Sequence, residues 1–214
     1  MKDIAIYGAG GLGREVKWLI DEINKEKPTW NFIGFFDDGV KKENLNSKYG
    51  KVLGGIKDVN AWAAPLDVVL AFGKPATISL IRSKIINTKI TFPNIIAPTV
   101  SISNKETFSI GEGNIIASAC SFSIDNRIGS FNLFNGHTAT GHDVEIGNCN
   151  VIMPGARISG EVFIGNENLI GADSFIVQGL RIGNNVTLSP LSALLTKPKE
   201  GKTYIGNPAK VFKF

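Results

Sequence analysis

Residues 128–152 read IGSFNL FNGHTA TGHDVE IGNCNV I, and this stretch decides the fold. Large apolar side chains return at 128, 134, 146 and 152, six positions apart, with Thr140 standing in the same series. Working outward, the series runs Ile110, Ile116, Phe122, Ile128, Phe134, Thr140, Ile146, Ile152, Ile158, Ile164, Ile170, Ile176, Ile182, Leu188 and Leu194. Fourteen of the fifteen are large and apolar, so the period is a rule and Thr140 its single break. A helix repeats at 3.6 residues and a strand at 2, and neither gives this spacing. A coil with three short, equivalent faces does.

Three hexads make one coil. Ile-Gly recurs at 110, 128, 146, 164 and 182, and asparagine at 114, 132, 150 and 168, always 18 residues apart. Residues 18 apart should therefore stack at the strand spacing of about 4.8 Å, burying one aliphatic column against the next. The asparagines are expected to form a hydrogen-bonded ladder. The glycines are expected to supply turn conformations that a Cβ would penalise. Cys120 and Cys149 are expected to be buried, inert thiols.

Residues 1 to about 95 follow a different grammar. Strand-like runs at Ile4–Tyr7, Phe32–Phe36, Val68–Phe72 and Ile90–Ile95 alternate with helical spacing over Leu12 to about Lys25 and Ala76 to about Ile86. That order implies a small parallel, Rossmann-like sheet with right-handed crossovers. Gly8-Ala9-Gly10-Gly11-Leu12-Gly13 lies between the first strand and first helix. Such a turn offers backbone N–H groups and a helix N-terminus to phosphate. Asp37, 24 residues after Gly13, stands near the place of a ribose-binding acid. Alone, this pattern fits a nicotinamide dinucleotide. Fewer than 100 residues is short for a complete dinucleotide-binding domain, and about one mononucleotide half fits better. The expected domains are 1–95 for the Rossmann-like sheet and 96–214 for the coil.

Composition narrows the function classes. The chain has 214 residues, 43% hydrophobic and 20% charged, with a net charge of +4. The charge favours an anionic ligand, and no Lys/Arg cluster is interleaved with aromatics, which argues against nucleic acid. Two unpaired cysteines fit a reducing cytoplasm, no run of 18 apolar residues predicts membrane insertion, and no metal-ligand spacing is present.

With these residues in view, the sequence resembles the hexapeptide-repeat acyltransferases, and within them the sialic acid O-acetyltransferase and bacillosamine-pathway N-acetyltransferase family. The carriers are Ile-Ala-Ile-Tyr-Gly-Ala-Gly-Gly-Leu-Gly-Arg-Glu (4–15), Phe-Asp-Asp (36–38), Val-Leu-Gly-Gly (52–55), Asn135, Gly-His-Asp-Val-Glu-Ile-Gly (141–147) and Gly-Asn-Pro-Ala-Lys (206–210). The resemblance implies an α/β Rossmann-like domain joined to an all-β left-handed parallel β-helix. It implies a cytoplasmic homotrimer with active sites between neighbouring β-helices, acetyl-CoA as co-substrate and a nucleotide-sugar as acceptor.

By the same resemblance His142 is the general base and Asp143 the acid that raises its basicity. Gly160 offers its backbone amide to the thioester carbonyl. Asn150 falls where one family branch contacts acetyl-CoA through a histidine, although its place in the asparagine column argues for a structural role. Gly10, Gly11, Asp37, Asp38 and the turn at Gly73 are the substrate-binding set. Gly73-Lys74-Pro75 departs from the usual Gly-Asn-Asn or Gly-Asp-Asn there, which leaves details of nucleotide or sugar recognition open. Histidine suits proton removal near neutral pH. His137, the only other histidine, falls where the family has a small residue and gains no role from it. Lys197, Lys199 and Lys202 are available to coenzyme A phosphates or to solvent.

The 18-residue register adds an expectation of its own. Asp125, Asp143 and Glu161 should stand in one acidic column beside His142, raising one another's pKa and attracting a cationic amino-sugar. The leading function is acetyl-CoA-dependent N-acetylation of a nucleotide-linked amino-sugar by direct attack. O-Acetylation of sialic acid or another glycan precursor is the alternative within the class. An NAD-dependent oxidoreductase and a non-catalytic nucleotide-sugar-binding scaffold are the alternatives outside it.

Overall fold

A computed structural model describes residues 1–39 and 49–212. The chain divides into two compact units, residues 1–98 and 99–214.

In the first unit, β1 (Lys2–Tyr7), β2 (Trp30–Phe36), β3 (Val52–Gly54), β4 (Leu66–Leu70) and β5 (Ile90–Thr91) form one parallel sheet in the order β3-β2-β1-β4-β5. Helix α1 (Gly11–Glu26) links β1 to β2, α2 (Ile56–Asn60) follows β3, and α3 (Pro75–Lys84) links β4 to β5. The order reverses between β1 and β4, the kind of switch point at which open α/β sheets bind ligands beyond their strand ends. Apolar residues explain the core: Ile4, Ile6, Val68 and Val69 in the central strands and Val16 and Ile20 of α1 are all at most 1% exposed.

Two features here were not anticipated. Val52–Gly54 is a strand and Ile56–Asn60 a helix, each too short to show a period. The fourth expected run also stops early, at Thr91 instead of Ile95. Pro93 has no N–H for a ladder and restricts Phe92 before it, so the strand cannot continue.

The second unit is a β-helix of two-residue strands, three per coil. Ile128 pairs in parallel with Ile146, Phe134 with Ile152 and Thr140 with Ile158, so the 18-residue register holds on all three faces. Ile116, Phe134, Ile152, Ile164, Ile170, Ile176, Ile182, Leu188 and Leu194 are fully buried. Phe108, Phe122 and Phe134 pack edge to face at 5.3 Å between successive centroids. The coil closes on a hairpin of Thr203–Gly206 with Ala209–Val211.

The glycine column corrects the expectation about turns. Left-handed backbone occurs at every sixth residue, but at Ala119, Asp125, Phe131, His137, Asp143, Cys149, Glu161, Glu167, Asp173, Asn185 and Leu191, with glycine only at 113, 155 and 179. Gly111, Gly129, Gly147, Gly165 and Gly183 have no positive φ. They are glycines because the next coil leaves no room: a Cβ on Gly147 would lie 2.6 Å from both Gly165 O and Asn166 Oδ1.

Candidate active site

Each coil of the β-helix turns at three vertices, and they differ in how the turn amides are satisfied. At the vertex of residues 129–132 and its repeats, the coil above caps them. Ser130 N–H donates to Asn148 Oδ1, Asn148 N–H to Asn166 Oδ1 and Asn166 N–H to Asn184 Oδ1, each at 2.8 Å. Residues 141–144 form a different vertex, and there the pattern stops. Among the described residues, the N–H groups of His142 and Gly160 meet no acceptor.

His142 occupies this open vertex. Its Nδ1 lies 2.8 Å from Asp143 Oδ2, and the two side chains are 46% and 57% exposed. Asp143 adopts φ +56°, a conformation that Asp tolerates better than most residues. With Nδ1–H donated to the carboxylate, Nε2 carries the lone pair that can take a proton. The ring lies against Gly160: a Cβ there would sit 2.6 Å from His142 Nε2. The absence of a side chain at 160 therefore makes room for the imidazole.

The register places Asp125, Asp143 and Glu161 at the same turn position, each with positive φ. Asp143 N–H donates to Ile124 O and Glu161 N–H to His142 O, which fixes the stacking. Their carboxylates are used differently, since Asp143 holds His142 while Glu161 accepts from Gln178 Nε2 at 2.8 Å. His137 is exposed on the neighbouring vertex of residues 135–138, its carbonyl accepting from Arg157 Nη1 at 3.3 Å.

Asn150 is corrected. It has no exposed surface, and its carboxamide is committed to the ladder. Nδ2 donates to Asn132 Oδ1 and Gly165 O at 3.0 and 2.8 Å, while Oδ1 accepts from Asn168 N–H and Nδ2 at 2.8 and 2.9 Å. No atom of the side chain is left to meet acetyl-CoA. Lys197, Lys199 and Lys202 line an open cleft with Thr196, Tyr204 and Phe212 at the C-terminal end of the coil, an anion-attracting surface. Cys120 is fully buried, its Sγ 3.1 Å from Asn135 O, and burial pushes its thiol up to about 11. It is no nucleophile.

In the first unit, the glycines of the 8–13 loop divide by task. A Cβ on Gly13 would lie 1.9 Å from Gly8 O, and one on Gly8, at φ +112°, would lie 2.6 Å from Ala71 O. These two serve packing of α1 and the loop against the sheet. Gly10 and Gly73 have nothing within 4 Å of such an atom, and Gly11 only the end of Arg14 at 4.0 Å. These three face open space at the C-terminal ends of β1 and β4. Asp37 and Asp38 brace this edge. Asp37 accepts from Ala9 N–H and Gly39 N–H, both at 2.8 Å, and Asp38 accepts from Ile56 N–H at 3.0 Å and from the Tyr7 hydroxyl.

Tyr7 is a site-supporting residue that sequence reasoning passed over as part of a strand. It is 1% exposed, and burial, reinforced by the hydrogen bond to Asp38, raises its phenol well above the ordinary value. The available signal was a phenol at the last strand position before the glycine loop.

Comparison with known proteins agrees with this fold. Over 99% of this chain and 100% of the other, the fold matches the acetyltransferase domain of PglB from Neisseria gonorrhoeae, with TM-score 0.88 and 24% identity. It matches WeeI from Acinetobacter baumannii over 99% and 100%, with TM-score 0.83 and 24% identity. PerB from Caulobacter crescentus, solved in complex with CoA and GDP-perosamine, matches over 100% and 98%, with TM-score 0.87 and 18% identity. No curated protein matches the sequence. The architecture is thus a parallel-sheet domain followed by a left-handed β-helix, the fold of these solved structures. Residues 3–88 match the family model described as the PglD N-terminal domain. Among the described residues, no helix is long and apolar enough to cross a membrane.

Proposed function

We propose that this chain is an acetyl-CoA-dependent N-acetyltransferase acting on an amino-sugar carried by a nucleotide, with His142 as general base. The observation that carries the reading is the His142–Asp143 pair at 2.8 Å on a vertex whose Gly160 amide meets no acceptor among the described residues. The relatives support the choice of substrates, since one holds acetyl coenzyme A and another CoA with GDP-perosamine.

In this mechanism the sugar amine attacks the thioester carbonyl while Nε2 of His142 removes its proton. Asp143 holds the ring in the tautomer that leaves Nε2 free and stabilises the imidazolium that forms. The Gly160 N–H donates to the oxygen on which charge develops, in the manner of an oxyanion hole. Collapse of the tetrahedral intermediate expels the coenzyme A thiolate, which takes the proton back from the imidazolium. The Gly10, Gly11 and Gly73 edge receives the nucleotide-sugar, and Lys197, Lys199 and Lys202 meet coenzyme A phosphates. The acidic turn position of Asp125, Asp143 and Glu161 attracts the amino-sugar as its ammonium ion, which gives one proton to solvent before the neutral amine attacks. The working enzyme is a cytoplasmic homotrimer with its sites between subunits.

The test is thiol release from acetyl-CoA against UDP- and GDP-linked 4-amino-sugars and free sialic acids, with mass detection of the product. A gain of one acetyl group on an amino-sugar nucleotide is expected, and His142→Ala should lower turnover by about two orders of magnitude or more. Turnover on sialic acid alone would overturn the nitrogen assignment, and wild-type turnover in His142→Ala would remove the base.

A further inference from the structure

We propose that Asn126, buried one coil below the His142 turn, is a positioning residue for His142. The inference rests on the reading of His142 as the base and adds to it the part that fixes the ring.

The 18-residue column that contains Asn126 is otherwise apolar, holding Phe108, Val144, Val162 and Leu180. Asn126 is fully buried in it. Its Nδ2 donates to Ser123 O, Ile124 O and Gly141 O at 3.0, 3.1 and 3.0 Å. Three carbonyls converging on one end of the carboxamide identify that end as the NH2 group. Gly141 is the residue before His142, so Asn126 grips the peptide from which the imidazole is suspended.

Comparison with the asparagine ladder shows that this grip is selective. Asn114, Asn132, Asn150 and Asn168 each donate Nδ2 to the glycine carbonyl 15 residues on, as Asn126 does to Gly141. Each also accepts the backbone N–H of the coil above, even where that residue is Val186, at 2.8 Å. Asn126 Oδ1 has no such partner, and among the described buried side chains the other unpartnered polar atom is Thr140 Oγ1, next to the same Gly141. A buried acceptor without a partner is unfavourable for folding. The fold also accommodates valine or leucine at this place in three coils above. What the asparagine adds is the fixed Gly141 carbonyl.

The experiment compares Asn126→Val with Asn132→Val, which removes the equivalent donor from the ladder. Each is measured for melting temperature, kcat, KM for acetyl-CoA and imidazole NMR signals. The chain has only two histidines, so His137 serves as internal reference. Asn126→Val is expected to melt within a few degrees of wild type, lose at least tenfold in kcat, keep KM for acetyl-CoA within twofold, and shift the His142 signals but not those of His137. Asn132→Val is expected to melt lower and keep kcat. Should Asn126→Val not fold, Asn126→Ser takes its place with the same expectations. Unchanged His142 signals with kcat no lower than in Asn132→Val would overturn the proposal. His142→Ala is the separating arm. If it retains turnover the base reading fails, and the imidazole signals alone then decide whether Asn126 orients the ring.

Discussion

Asn150→Ala is the perturbation whose size can be worked most directly from the structure. It deletes four side-chain hydrogen bonds, two donated by Nδ2 and two accepted by Oδ1, and leaves the backbone bond from Asn150 N–H to Asn132 Oδ1 in place. The Asn168 N–H is then stranded in the interior. Its Nδ2 keeps only the bond to Gly183 O, and Gly165 O loses its donor. A net hydrogen bond contributes about 1 kcal/mol, and a buried group without a partner costs about 1–3 kcal/mol. The expected loss is therefore about 4 kcal/mol, a large part of the roughly 5–15 kcal/mol that holds a domain together.

Asn148→Ala is the control, from the same coil and residue type. It is exposed, giving one bond to Asn166 Oδ1 and receiving one from Ser130 N–H, so water replaces what is lost and the cost should stay below about 1 kcal/mol. The assay is urea unfolding followed by far-ultraviolet circular dichroism at fixed protein concentration. Tryptophan fluorescence would report the other unit, because Trp18, Trp30 and Trp62 all lie within residues 1–98. A loss in Asn150→Ala no greater than in Asn148→Ala refutes the ladder reasoning. A raised KM for acetyl-CoA at unchanged stability would instead return Asn150 to the cofactor.

Gly160→Ala puts a Cβ 2.6 Å from His142 Nε2, and the free end of a side chain can yield where backbone cannot. Melting temperature should hold while kcat falls about a hundredfold, the scale of a misplaced catalytic group; unchanged kcat would show that the ring does not need its place. Gly10→Ala meets nothing within 4 Å, so it should spare stability and raise KM for the nucleotide-sugar, and an unchanged KM would remove this loop from the substrate site. Tyr7 titrates in the folded state above its ordinary value, so the stability it lends is complete below about pH 10 and declines as pH rises further. The alkaline limb of a Tyr7→Phe stability profile should be flatter than wild type, and parallel limbs would contradict the assignment. With the Cys120 thiol pushed up to about 11, only about one in a thousand is thiolate at pH 8. A short iodoacetamide pulse followed by peptide mapping should leave Cys120 unlabelled in the native protein and labelled in urea.

What the sequence revealed depended on how many times each feature is repeated. The aliphatic column recurs through the coils and the asparagines through four of them, so their period announced the β-helix, its register and the ladder without reference to any other protein. Features that depend on what the neighbouring coil presents were opaque. The Ile-Gly glycines looked like turn residues, whereas the left-handed turns fall at Asp125, Phe131, His137 and Leu191, and the glycines yield space to the backbone above. Phenylalanine and leucine disfavour that conformation, so no propensity would have placed it there; the stacked coils impose it. In the first unit, nothing in the spacing shows that Asp37 and Asp38 accept hydrogen bonds from Ala9, Gly39, Ile56 and Tyr7.

The His142–Asp143 pair follows from the same imposed turn. Every coil places the residue after the vertex peptide in left-handed backbone, and at 143 the acid's carboxylate reaches back to the ring of His142. Asp125 and Glu161 share the conformation with φ +58° and +61°, but Ile124 and Gly160 precede them, so only one of three equivalent turns holds an imidazole. Glycine one coil above leaves the space that the ring occupies, and isoleucine one coil below, 44% exposed, provides an apolar floor. A regular solenoid thus acquires a proton acceptor by changing residues at a position whose geometry it already repeats. The departures from the repeat, at Thr140, His142, Gly160 and Asn126, gather about one vertex.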